Sequence, residues 1–229
     1  MKMPAIGLLA SLAMAGTAHA EAAPIGVWYL GGSSNTPSGY GGVLASLPGA
    51  TLGHGFALRA TGNGGEYDYS AGVGKVTARY AGGDVALVYQ SSGPWGWGNL
   101  SAGPQYVHTD LSPRDPSNKR LGGHWEASLQ SDGELYFDAW RVGWYGQGGL
   151  SQGSYDGRLH VNRRLGSEMF RPGVEVSVQG DPTYRLEKVG PTLAIQAPNA
   201  LTIQIGAGVR IQQNIPSQGF VSLGFSRVF

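Results

Sequence analysis

The 229-residue chain contains no cysteine. Disulfides and thiolate metal centres are therefore excluded, and stability in an oxidising compartment has to come from packing and backbone pairing. Charge is scarce as well: Asp, Glu, Lys and Arg together make up 14% of the residues, and the net charge is +1. So small an imbalance gives no electrostatic basis for nucleic-acid binding. Long hydrophobic runs are missing too. The one apolar run, Ile6 to Ala15, falls short of the roughly 20 residues a membrane-spanning helix needs. Lys2 precedes it, and Ala18-His19-Ala20 follows with small residues at the −3 and −1 positions. That is the layout of an export signal. Residues 1–20 are expected to be a signal peptide cleaved before Glu21, with residues 21–229 as one mature domain. No cysteine could carry a lipid, so a lipoprotein is excluded.

What the chain has in quantity is glycine (39 residues), tyrosine (11) and tryptophan (6). Short alternating segments follow one another with turn residues between them, the pattern of successive strands. Twelve are predicted, near residues 26–33, 40–47, 55–70, 75–91, 99–110, 120–130, 134–146, 151–162, 169–179, 184–196, 201–212 and 219–229. Ser131-Asp132-Gly133 reads as a tight turn between the sixth and seventh. In the fourth, Val76, Ala78 and Tyr80 differ in parity from Val85, Leu87 and Tyr89, so a β-bulge near Ala81-Gly82-Gly83 is expected to restore one apolar face. Leu201, Ile203, Ile205, Ala207, Val209 and Ile211 alternate with Thr202, Gln204, Arg210 and Gln212. In the last segment Val221, Leu223, Phe225 and Phe229 share a face, opposite Ser222, Gly224 and Ser226. Arg227 sits on that same apolar-parity face, near the end, where a lipid headgroup could take its charge.

An even number of strands, apolar on one side and small or polar on the other, fits an all-β fold. The expected architecture is a transmembrane antiparallel up-and-down β-barrel of about 12 strands in the bacterial outer membrane, with lipid as its surroundings. Phe225 and Phe229 are the expected signal to the barrel-assembly machinery, read through the C-terminal strand. With both termini periplasmic, the longer Leu111–Lys119 connection falls outside. Ser112, Pro113, Asp115, Pro116 and Asn118 are its candidate exposed contacts.

The same parity turns Arg59, Asp84, His124, Glu126, Arg158, His160, Glu175, Lys188 and Arg210 toward the lumen. Two readings follow: a closed, salt-bridged interior, or a polar channel or polysaccharide groove. Most of Trp28, Tyr29, Trp95, Trp97, Trp125, Trp140, Trp144 and Tyr145 fall near strand ends, which suits an interfacial girdle more than sugar-stacking platforms. The best pieces of a hydrolase site are His108 with Asp110, and His160 with Ser151 or Ser154. No nucleophile motif accompanies them. The histidines lack metal-ligand spacing, and no cofactor is expected.

Asp110-Leu111-Ser112-Pro113-Arg114-Asp115-Pro116-Ser117-Asn118-Lys119 resembles a segment of the BcsS family of cellulose biosynthesis proteins. So do Leu58-Arg59 with Gly64-Gly65-Glu66-Tyr67-Asp68-Tyr69, and Asp84 to Gln90. Ala139-Trp140-Arg141-Val142-Gly143 and Gly190-Pro191 follow in the same order. The resemblance spans roughly residues 26–215, and the Asp-Leu-Ser-Pro-x-Asp-Pro loop is its most specific part. It implies an outer-membrane barrel found with cellulose synthase components, a non-enzymatic accessory to making, secreting or organising the glucan. Cellulose and the synthase components are the partners it suggests, and it supplies no catalytic residues. A narrow porin-like channel for small solutes or sugars stays open as an alternative, as does an outer-membrane lipid- or polysaccharide-modifying enzyme.

Overall fold

The computed structural model describes residues 25–33, 37–166, 169–213 and 215–228. The expected signal peptide and Phe229 lie outside them. The described residues form twelve antiparallel strands closed into one barrel. These are β1 (Ile25–Ser33), β2 (Ser38–Ser46), β3 (Gly55–Ala71), β4 (Gly74–Gly93), β5 (Gly96–Ser112) and β6 (Gly122–Phe137). The second half comprises β7 (Trp140–Gly149), β8 (Tyr155–Arg163), β9 (Phe170–Asp181), β10 (Tyr184–Ala197), β11 (Leu201–Gln212) and β12 (Ile215–Val228). Each strand pairs with its sequence neighbours, and β1 against β12 completes the ring, from Val27 opposite Val228 to Ser33 opposite Ser222.

Side-chain alternation decides the two faces. Val85 is 55% exposed whereas its neighbour Asp84 is 7% exposed, and Phe56 and Leu58 stand out while Ala57 and Arg59 are buried. Leu100, Val174, Val176, Ile205, Val209, Val221 and Leu223 are likewise exposed, and Gln90, Ser101, Gln105, Glu126 and Arg210 are buried. An apolar outside around a polar inside is the inverse of a water-soluble fold and suits a barrel whose wall faces lipid. Phe225, on the same outward parity as Leu223, is half-buried.

Two sequence expectations are corrected. Ser131–Gly133 is not a turn: β6 runs through it to Phe137, and the chain reverses at Asp138 and Ala139, where Asp138 takes a φ of 48°. The Asp-Gly pair carries other duties. Asp132 accepts a hydrogen bond from Asn99 (2.9 Å) inside the barrel, and Gly133 makes room for the Trp144 ring outside it. The expected bulge in β4 is also absent, because β3 and β4 keep one register from Gly55–Gln90 to Ala71–Gly74. Val76 and Ala78 therefore point inward with Asp84, and both are fully buried.

The wall is uneven in height. β3 to β6 have 17, 20, 17 and 16 residues, against 9 to 14 in the other eight strands. On β3 the apolar outward face runs from Phe56 to Gly64, about nine residues and so near the 9–11 that cross a bilayer. Beyond it the outward residues turn polar. Arg79 pairs with Glu66 at 2.8 Å, Lys75 with Asp68 at 3.0 Å, and His108 with Asp110 at 3.4 Å. Just short of this boundary the Tyr106 and Trp125 rings meet with centroids 5.1 Å apart, and Phe137 and Trp140 are exposed at the other end. Such aromatic rims mark the edges of a lipid-facing band.

Candidate functional site: the barrel lumen

Every lumen candidate singled out in the sequence lies on the inward parity, but the structure gathers them into separate groups. Midway along the lumen, Arg59 Nη1 donates to Ser101 Oγ at 2.9 Å, and Arg59 Nη2 lies 3.4 Å from Asp84. Both charged residues are buried, so each depends on the other for compensation. Across the barrel, Arg158 Nε lies 3.7 Å from Glu175, which also accepts from Gln204 at 3.2 Å. Arg158 also reaches Tyr40 of β2, donating to its hydroxyl at 3.4 Å. Lys188 stands 5.6 Å from the Phe220 ring centroid and opposite Arg210 in register. Arg210 donates to Gln212 and Gln218.

Glu126 and His124 hold connections instead of joining these pairs. Glu126 accepts from Gln152 N–H (3.2 Å) and Ser154 Oγ (3.3 Å), drawing the β7–β8 connection inward, and His124 contacts the Leu121 carbonyl at 3.1 Å. Gly149 is essential to that arrangement, since a Cβ there would strike the Glu126 carboxylate.

The mouth at the end bearing the Pro113–Leu121 connection is filled. Tyr67, Tyr69, Val76, Ala78 and Leu111 form a buried cluster, with Tyr80, Leu121 and Tyr184 against it. The Tyr67 and Tyr184 rings stack with centroids 4.0 Å apart. Asp181 ties the cluster to the far wall: it accepts from Tyr67 Oη at 3.3 Å and pairs with Arg120 at 3.1 Å. The connection itself folds in. Tyr69 Oη donates to Asp115 at 2.9 Å and accepts from Asn118 Nδ2 at 2.8 Å. Asp115 and Asn118, expected as exposed contacts, are thus buried, because their side chains satisfy a buried tyrosine hydroxyl. Ser112, Pro113 and Pro116 are exposed. The hydroxyl and amide of Ser117 hold the Asp115 carboxyl below the usual carboxylate range.

Beneath this plug lies a cavity of about 110 Å³, lined by residues of β3 to β5, Arg120 and β7 to β10. Sequence reasoning missed the tyrosine plug because apolar residues were assigned to lipid. The signal was present in the opposite face: Lys75, Thr77 and Arg79 alternate with Val76, Ala78 and Tyr80, and charged residues do not face lipid.

The pieces of a hydrolase site are dispersed. His108 and Asp110 sit exposed on the outer face; His160 lies 3.7 Å from Glu134, and Ser154 binds Glu126. A Ser–His contact unforeseen in the sequence, Ser92 Oγ to His54 Nε2 at 3.1 Å, is exposed at the short-turn end. No carboxylate accepts a hydrogen bond from that histidine among the described residues.

Residues 27–229 match the family model described as cellulose biosynthesis protein BcsS. The chain belongs to this family. No curated protein sequence matches it. Among solved structures, the beta domain of a Bordetella autotransporter aligns with a TM-score of 0.51 at 11% identity, over 89% of this chain and 99% of that one. A KdgM porin in complex with disordered oligogalacturonate aligns with a TM-score of 0.47 at 10% identity, over 89% and 98% of the two chains. The likeness to the autotransporter domain is one of fold. The BcsS match ties the barrel to cellulose biosynthesis.

Proposed function

We propose that this BcsS protein is an outer-membrane barrel that assists export or surface organisation of cellulose and catalyses no reaction itself. The observation that carries the reading is the plugged lumen: a tyrosine cluster and an inward-folded connection fill one mouth, and paired charges cross the middle. A barrel built to conduct keeps a water-filled channel open, and one whose interior groups satisfy one another serves as a rigid platform. The projecting ends of β3 to β5 would then stand on the outer surface, with Ser112, Pro113 and Pro116 at the rim. Insertion would be through the barrel-assembly machinery acting on the C-terminal strand. Components of the cellulose synthase complex, or the glucan, would meet the rim.

The test is a strain lacking this gene with its neighbours intact. Reduced cellulose or altered fibre architecture is the expected result, and wild-type cellulose in both respects overturns the accessory role. In planar bilayers the purified protein should give no steady large conductance; stable open channels would make it a porin.

A further inference from the structure

The rim at the short-turn end carries a cation placed unlike those at the opposite end. Across β6, β7 and β8 the outward residues fall into rows in register. Gly133, Trp144 and Leu159 form one row, Leu135, Val142 and Val161 the next, and Phe137, Trp140 and Arg163 the last. Arg163 thus stands one row beyond the apolar wall, at the depth of lipid headgroups. The residue is exposed, and its guanidinium carbon lies 5.3 Å from the centre of the Trp140 ring.

Apolar groups surround this arginine. Val161 precedes it on the outward face, and Phe170 and Pro172 occupy the same face of the neighbouring β9. Leu165 and Met169 are exposed in the connection beyond. No carboxylate among the described residues forms an ion pair with Arg163, that of Asp138 in the adjoining β6–β7 turn included. At the opposite rim the outward cations are answered from the wall itself: Arg79 by Glu66 at 2.8 Å, Lys75 by Asp68 at 3.0 Å and Arg185 by Glu187 at 2.7 Å. A guanidinium set among apolar groups at a lipid boundary is favourable when an anion meets it, and for Arg163 that anion has to come from outside the chain.

The membrane supplies one. A phosphodiester at this depth presents two oxygens to the planar fork of an arginine, and stacking on an indole leaves the N–H edge of a guanidinium open to such an acceptor. The acyl chains attached to it would run along Leu159, Val161 and Val174, which are exposed on the outward face. A headgroup with no ammonium of its own gains the most from the cation, because its phosphate is not already compensated.

We propose that Arg163 and Trp140 form the headgroup site of one anionic phospholipid, its phosphodiester on the guanidinium and an acyl chain along Leu159 and Val161. The site stands apart from any part the barrel plays in cellulose export. To test it, the full-length protein in detergent micelles is titrated with phosphatidylglycerol, phosphatidylcholine and diacylglycerol, and retained lipid is counted by native mass spectrometry. A phosphatidylglycerol adduct is expected, about tenfold tighter than that of phosphatidylcholine, with no retained diacylglycerol. Arg163→Gln should weaken that adduct about tenfold, the effect of losing one charge-assisted hydrogen bond, and abolish the preference over phosphatidylcholine. Arg79→Gln, at the opposite rim, should leave it unchanged. On the unaltered protein, a phosphatidylglycerol with a photoreactive group beside its phosphate should crosslink within residues 137–140 or 161–165, which keeps the test decisive if a variant fails to fold. Equal retention of the three lipids, an unchanged adduct in folded Arg163→Gln, crosslinks confined to other parts of the barrel, or displacement by an equal concentration of free glycerol phosphate would each overturn the site.

Discussion

Two stretches of the same wall obey opposite rules. Within the lipid-facing band, β3 to β5 put Leu58, Val85 and Leu100 outside and Arg59, Asp84 and Ser101 inside. Beyond the band, the same strands put Glu66, Arg79 and Asp110 outside and Tyr67, Val76, Ala78 and Leu111 inside. No bulge intervenes; the parity of the backbone is constant and the surroundings change. Apolar side chains follow the absence of water, and a strand that leaves the bilayer finds that absence in its own interior.

Three expected outcomes probe this contrast. The largest effect belongs inside the band. Arg59→Ala strands the buried Asp84 carboxylate, 3.4 Å from its partner. The expected cost is about 3–5 kcal/mol, read as a fall in the temperature at which the barrel loses its compact gel mobility. An unchanged transition would mean that water already compensates Asp84.

The plug should respond differently. Tyr67→Ala removes one ring of the stacked pair with Tyr184 and a hydrogen bond to Asp181. A loss of about 2–4 kcal/mol is expected, together with conductance fluctuations in planar bilayers that the unaltered barrel lacks. Stability lost with no new conductance would place the barrier lower down, among the paired charges.

The smallest effect concerns pH. The Asp115 carboxyl sits below its usual range in the folded protein, held chiefly by Ser117. Its contribution is therefore fully present above the ordinary carboxylate range and is lost as pH falls through the depressed value. Protease cleavage in residues 113–121 should rise on acidification below about pH 4, and Asp115→Asn should be cleaved more readily at neutral pH with little further change. Equal cleavage at every pH in the unaltered protein would show that Asp115 does not anchor the connection.

Strand number, antiparallel order and the inward set were legible because period-two alternation is strong where one side faces lipid and the other a polar lumen. Leu201–Gln212 is the plainest instance, and its predicted bounds coincide with β11. Turns were less legible. Ser131-Asp132-Gly133 has the composition of a reverse turn, yet Gly133 serves a close approach by Trp144, and a single sequence does not separate these two uses of glycine. The burial of Asp115 and Asn118 was hidden for another reason. Polar loop residues read as solvated, and only the fold brings Tyr69, more than forty positions away, under them.

The closed ring also limits how another protein can take hold. Within the lipid-facing band every strand, β1 and β12 included, spends both of its backbone edges on neighbours. Recognition by strand addition, in which a visiting segment borrows an unpaired edge, has nothing to grip there. Outside the bilayer, β3 beyond Gly65 outruns its β2 neighbour, and the projecting collar of β3 to β5 presents Glu66, Arg79, His108 and Asp110 in mixed charge. A visitor reading those charges would be selected by their spacing, and its hold should loosen as salt rises.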